Sequence, residues 1–190
     1  MNKVVSVLII LLTLGFSRDM IGQAGFESGT NVAQITFGYP EVLKIGPEHK
    51  STMPVIQLAY DRGVIDGLLD GSATLGVGGF FGLANTKTEY VSNGETYGAN
   101  YSFILIGFRG TVHYDIVDGF DIYGGGQFGT SIVSERSYGP VHLQIDGLER
   151  GRLVAGFFIG SRYFFYDQLA ATVEIGFGVS VFNIGAAYIF

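Results

Sequence analysis

The last ten residues, 181–190, read Val-Phe-Asn-Ile-Gly-Ala-Ala-Tyr-Ile-Phe, and they constrain the fold more than any other segment. Counting back in twos gives Phe190, Tyr188, Ala186, Ile184 and Phe182. These share one face of a strand, because successive side chains alternate. The other face carries Ile189, Ala187, Gly185, Asn183 and Val181, which are smaller on average. Such a segment is a strand with one large apolar face. Taken alone, it also fits the buried final strand of a soluble sheet.

The same alternation runs almost throughout and predicts eight strands. They fall at 32–39, 53–62, 72–84, 100–114, 120–133, 151–165, 169–177 and 181–190. On the fourth, Ile104, Ile106, Phe108, Val112 and Tyr114 oppose Gly107, Arg109, Thr111 and His113. Long polar connections at 40–52, 85–99 and 134–150 alternate with shorter ones at 63–71, 115–119 and 166–168. The last connection, near 178–180, is almost absent. A tight hairpin is preferred there over one bent segment, which would leave seven strands and an open edge. Pro40, Pro47 and Pro140 fall in loops and Pro54 near the end of strand two, as the missing ladder donor requires.

Lys3 precedes an almost wholly apolar stretch, 4–16, which has the length of a secretory h-region and is short for a membrane helix. Gly22-Gln23-Ala24 offers small residues to a signal peptidase, so residues 1–24 are expected to be a cleaved signal peptide. Arg18 and Asp19 keep cleavage after Ser17 open. Residues 25–190 then make one domain by length. The chain has no cysteine, so neither a lipoprotein signal nor disulfides are expected.

Mean hydropathy is positive, +0.35, with only 15% charged residues, yet no later apolar run approaches the ~20 residues of a membrane helix. Losing Lys3, Arg18 and Asp19 with the leader removes two positive charges and one negative, taking the net charge from −6 to −7. An acidic chain with sparse basic residues argues against nucleic-acid binding. The only lysines are Lys3, Lys44, Lys50 and Lys87. Soluble β-proteins stud their solvent faces with lysine. Here the less apolar faces carry Gly, Ser, Thr and Gln with isolated charges, which suits a crowded interior.

With its terminal strand and the segments 76–82, 160–169 and 174–178, the chain resembles the small outer-membrane β-barrel family. That family includes the transmembrane domain of outer-membrane protein A, outer-membrane protein X and stand-alone barrels of Bacteroidetes. Outer-membrane barrels have short periplasmic turns, long external loops, an even strand number and apolar-out alternation. The resemblance implies an all-β, eight-stranded antiparallel up-and-down transmembrane barrel over residues 25–190, in the outer membrane of a Gram-negative cell. It implies outer-membrane lipid as surroundings and the barrel-assembly machinery as a partner. That machinery would read Phe182, Ile184, Ala186, Tyr188 and Phe190. Loops 40–52, 85–99 and 134–150 would face outward and could meet an extracellular ligand.

An eight-stranded barrel is just wide enough for side chains to fill. The expected inward face holds Asp61, Arg109, Asp121, Arg152, Arg162 and Glu174. Buried charges persist only when paired, so these are expected to plug the lumen with ion pairs. Arg162 and Glu174, brought together by the turn at 166–168, are the first expected pair. For Asp61, Asp121 and Arg152 a solvated place at a barrel mouth is the main alternative.

Catalysis finds little support, and no cofactor or metal is expected. His49 and His142 fall in loops and His113 near a strand end. The glycine clusters at 76–79 and 124–126 lie inside strands and open no helix, so they are not phosphate loops. A structural or surface-interaction role follows. The alternatives are a soluble, exported lipocalin-like barrel binding a small apolar ligand, with its apolar faces inward, then a lipid-modifying barrel enzyme or a narrow pore.

Overall fold

The computed structural model describes residues 25–40, 49–92, 94–139 and 151–190. The expected signal segment and the centres of two expected loops lie outside them. Nine strands are formed among the described residues: β1 (Asn31–Pro40), β2 (His49–Ser51), β3 (Val55–Gly67), β4 (Ala73–Ser92), β5 (Glu95–Val117), β6 (Phe120–Tyr138), β7 (Gly151–Tyr166), β8 (Leu169–Phe177) and β9 (Ser180–Ile189). Apart from the three-residue β2, each pairs antiparallel with its sequence neighbour, and β1 pairs with β9. The result is a closed eight-stranded up-and-down barrel. Closure is sealed at the chain ends, where Phe190 N donates to Asn31 O at 2.9 Å and Asn31 N to Phe190 O at 3.1 Å.

Residues 25–30 and Phe190 share one end of the barrel with the turns at 68–71, 118–119 and 167–168; this is the turn end, and the opposite rim is the loop end. The tight hairpin between β8 and β9 is present, with Gly178 at φ 110° supplying the left-handed residue.

Several expected boundaries are corrected. Pro40 is not in a loop but ends β1, opposite Ser180, and β3 runs on to Gly67 into the expected connection 63–71. Residues 85–99 are not a loop: β4 and β5 run on as one ribbon, paired residue for residue from Ala73↔Tyr114 to Ser92↔Glu95. The extension is polar on both faces, so hydrophobic periodicity does not register it. Its Thr, Tyr and Val content still favours a strand, and Asn93-Gly94 is a strong short hairpin signal. Likewise β6 continues to Tyr138, opposite Gly98, into the segment expected to be a loop from 134. Within the expected loop 40–52, His49–Ser51 forms β2 against Thr86–Thr88 of β4.

The core lies inside the barrel in three layers. At the turn end Phe26, Val32, Phe164, Ala170, Ala187 and Ile189 form an apolar cluster. Toward the loop end a second one includes Val55, Phe80, Phe103, Leu105, Val154 and Val179. Charged and polar side chains fill the layer between them.

Candidate functional site: lumen and outer wall

The middle layer gathers five of the six charges that alternation points inward. Asp61, Arg109, Asp121, Arg162 and Glu174 are all at most 3% exposed. Arg152 is not among them; it lies exposed at the start of β7, at the loop-end rim. Asp61 and Arg109 stand in one register row on either side of Gly78, which has no side chain to separate them. Their Oδ1 and Nε atoms are 3.0 Å apart. The second Asp61 oxygen meets Arg162 Nη2 at 3.2 Å, and Arg162 Nη1 meets Asp121 Oδ2 at 3.3 Å.

The expected Arg162–Glu174 pair does not form. In register Arg162 faces Thr172 and Glu174 faces Gly160, two residues further along. The long side chains instead cross the lumen. Arg109 Nη2 donates to Glu174 Oε1 at 2.9 Å, as do Gln34 Nε2 at 2.8 Å and the Tyr123 hydroxyl at 2.9 Å. Gln34 stands between the two expected partners, because its Oε1 accepts from Arg162 Nη2 at 3.0 Å. A buried carboxylate needs several donors to offset its desolvation, and Glu174 obtains them from three strands.

Sequence reasoning missed Gln34, Tyr123, His113 and Phe26. His113 Nδ1 lies 2.9 Å from Asp121 Oδ2, and Nε2 2.9 Å from Thr111 Oγ1. Since a carboxylate only accepts, Nδ1 carries the hydrogen. Asp121–His113–Thr111 has the hydrogen-bond order of an acid–base–nucleophile triad. Yet Thr111 is 1% exposed, and Phe26 lies stacked on the imidazole at 3.7 Å between ring centroids. The hydroxyl is thus closed off from solvent beneath the packed rings. Arg162 packs over Tyr123 at 4.3 Å and Arg109 over Phe158 at 4.4 Å. Such contacts are favourable for desolvated guanidinium groups, and here they cover part of what hydrogen bonding leaves open, since Arg109 Nη1 and Arg162 Nε lack a hydrogen-bond partner.

The outer wall has the opposite character. Ile35, Phe37, Leu58, Ile106, Phe108, Phe157, Ile159, Ile175 and Ile184 are all exposed, Phe108 at 79%. Tyr60, Tyr114, Tyr163 and Tyr188 ring the wall toward the turn end. Of the expected assembly signal, Phe182, Ile184, Ala186 and Tyr188 lie on the outward face of β9, and Phe190 follows its last residue with an exposed ring. At the loop end the wall turns polar. There Lys87 Nζ lies 2.7 Å from Glu89, and this hydrogen-bonded carboxylate holds the ammonium above its usual range.

A closed barrel with charges inside and an apolar exterior is the architecture of small membrane barrels. Among solved structures, the chain is similar to the outer membrane protein OprG from Pseudomonas aeruginosa, at 11% identity, over 90% of this chain and 99% of that one, with a TM-score of 0.52. Ail, the attachment invasion locus protein of Yersinia pestis, solved with the heparin analogue sucrose octasulfate, matches at 12% identity over 86% and 99%, with a TM-score of 0.48. A de novo designed transmembrane β-barrel matches at 16% identity over 86% and 98%, also with a TM-score of 0.48. At these identities the likeness is one of fold. No protein-family model and no curated protein matches the chain.

Proposed function

We propose that the protein is an integral outer-membrane β-barrel with a structural or surface-interaction role, exported by a signal peptide at 1–24 and carrying no catalytic activity. The observation that carries this reading is the inversion of the wall. Monomeric soluble proteins rarely expose apolar patches beyond a few hundred Å2, whereas here nearly every outward side chain on β1, β5, β7 and β9 between the rims is apolar. Backbone polar groups in lipid must be satisfied within the protein, and a closed barrel does this. A lipocalin-like barrel needs the reverse arrangement, with apolar residues inside. The layered filling of the lumen supports a plugged barrel rather than a narrow pore, with ion pairs and hydrogen bonds across its middle.

In this reading the turn end faces the periplasm, and the β4–β5 ribbon with the connections at 41–48 and 139–150 faces outward. The extracellular partner, if the protein has one, meets those segments, and β9 is the strand read by the barrel-assembly machinery. The test is membrane fractionation with epitope tags. The protein should enter the outer-membrane fraction, migrate differently before and after boiling, and expose tags at 93 and 139, but not at 119, on intact cells. A detergent-independent, freely soluble protein would refute the reading.

A further inference from the structure

The buried charges of the lumen form one chain of alternating sign. Glu174 Oε1 meets Arg109 Nη2 at 2.9 Å, and Arg109 Nε meets Asp61 Oδ1 at 3.0 Å. Asp61 Oδ2 meets Arg162 Nη2 at 3.2 Å, and Arg162 Nη1 meets Asp121 Oδ2 at 3.3 Å. The last link is His113, whose Nδ1 lies 3.0 Å from Asp121 Oδ1 and 2.9 Å from Oδ2. In order, the chain is carboxylate, guanidinium, carboxylate, guanidinium, carboxylate, imidazole.

The charge balance does not close without the histidine. Among the described residues the buried carboxylates are Asp61, Asp121 and Glu174, and the buried guanidinium groups are Arg109 and Arg162. With a neutral His113 this layer holds one uncompensated negative charge out of water, which is strongly unfavourable. Burial alone favours a neutral imidazole. Here a neutral ring takes no net charge out of the lumen; it leaves the chain one cation short. A proton that balances the layer sits on the imidazole rather than on a carboxylate, because imidazole is the stronger base.

The surroundings of the ring suit a cation. Asp121 and Tyr123 face it from β6, and Arg162 on β7 and Asp61 on β3 lie next in the chain. From β4 the register partner is Thr74, bonded to the exposed Asp66 of β3. The segment 25–30 contributes Phe26, while its Glu27 is exposed. The imidazole is stacked against Phe26 at 3.7 Å and against Tyr123 at 5.0 Å. Phe26 also lies 5.9 Å from the Arg162 guanidinium carbon. Aromatic faces attract desolvated cations.

From the alternating chain and its charge count, we infer that the lumen is a proton-binding site: His113 stands in the folded barrel as an imidazolium, and its proton latches Phe26 over the turn end. Both ring N–H groups then donate, Nδ1 to Asp121 and Nε2 to Thr111. When the proton leaves, the lumen carries an excess negative charge that needs water. Phe26, which belongs to no strand, is the side chain that yields to admit it. The inference does not depend on the membrane reading.

The test is nuclear magnetic resonance of the mature protein in detergent micelles, with the His113 ring assigned through its own backbone amide. At about pH 7.5, where a free imidazole is roughly 90% neutral, both His113 ring nitrogens should carry hydrogen, with Overhauser contacts between the His113 and Phe26 rings. At about pH 9.5, roughly three units above the free-imidazole value, the Nε2 hydrogen and those contacts should be lost together. Folded protein then binds one more proton than the unfolded chain near neutral pH, so the urea midpoint should fall as pH rises. Asp121→Asn leaves two buried carboxylates against two guanidinium groups, so its ring should be neutral at pH 7.5 and its midpoint level. A neutral wild-type ring at pH 7.5, or an imidazolium retained in folded Asp121→Asn, would overturn the charge balance. A ring still charged at pH 9.5, or Phe26 contacts that outlast the proton, would overturn the latch.

Discussion

Phe26 lies flat on the imidazole of His113, with ring centroids 3.7 Å apart and planes 23° from parallel. Phe26 comes from the segment before β1, and His113 from the inward face of β5. The segment is tied down by Gly29 N donating to Gly63 O at 2.9 Å and by Ser28 N donating to Asp66 Oδ1 at 2.7 Å. A side chain outside the strands thus closes the turn end of the lumen over the charge cluster. Phe26→Ala should cost about 3 kcal/mol, the low end for a buried phenylalanine. Urea unfolding in detergent measures it, and an unchanged midpoint would mean that the segment is not docked.

The partner of Glu174 is Arg109 rather than Arg162, which a pair of double-mutant cycles resolves. Coupling between Arg109→Gln and Glu174→Gln should be on the order of 1–3 kcal/mol, as for residues in direct contact. Coupling between Arg162→Gln and Glu174→Gln should be smaller, because the two meet only through intermediaries, Gln34 and Tyr123 each touching both. The reverse order would restore the adjacent-strand pair.

Gly160 lies opposite Tyr123 in register, and a Cβ there would sit 2.5 Å from the tyrosine ring. The ring cannot retreat, because its hydroxyl is bonded to Glu174 and Thr172 and Arg162 covers its face. Gly160→Ala should therefore cost about 1–3 kcal/mol through overpacking. Gly110→Ala, whose Cβ would meet nothing nearer than 4.0 Å, should be neutral or stabilising. Equal unfolding midpoints for the two variants would count against the packing described.

Ile159 is 69% exposed on the wall, while its neighbour Phe158 is buried in the lumen. In a bilayer, Ile159→Arg should cost about 2–4 kcal/mol if the site is near mid-depth. A spin label on Ile159→Cys should be quenched by a lipid-soluble reagent and shielded from a water-soluble one. Quenching by the water-soluble reagent alone would place this face in solvent.

Deleting Phe190 removes a ring that is 59% exposed and hydrogen bonds that the new terminal carboxylate at Ile189 can partly replace. Refolding into detergent should change little. Outer-membrane yield in cells should fall steeply if the aromatic end of β9 is what the assembly machinery reads. Wild-type yield would remove that role from Phe190.

The sequence by itself determined the strands and their faces. Alternation is local, so the inward parity of Asp61, Arg109, Asp121, Arg162 and Glu174 and the outward parity of Ile159 or Phe182 can be counted without a structure. It also carries the hairpin signal Asn93-Gly94, next to the last described pair of the β4–β5 ribbon, Ser92↔Glu95. Only the tertiary structure decided who meets whom inside. A narrow closed barrel lets long side chains span its diameter, so Glu174 on β8 bonds to Arg109 on β5 and Gln34 on β1. Adjacency in the chain predicted Arg162 instead, because pairing along a wall follows register while pairing across a lumen follows closure. Phe26 was illegible for the same reason. It belongs to no periodic segment, and it has a place to go only once the barrel has formed around His113.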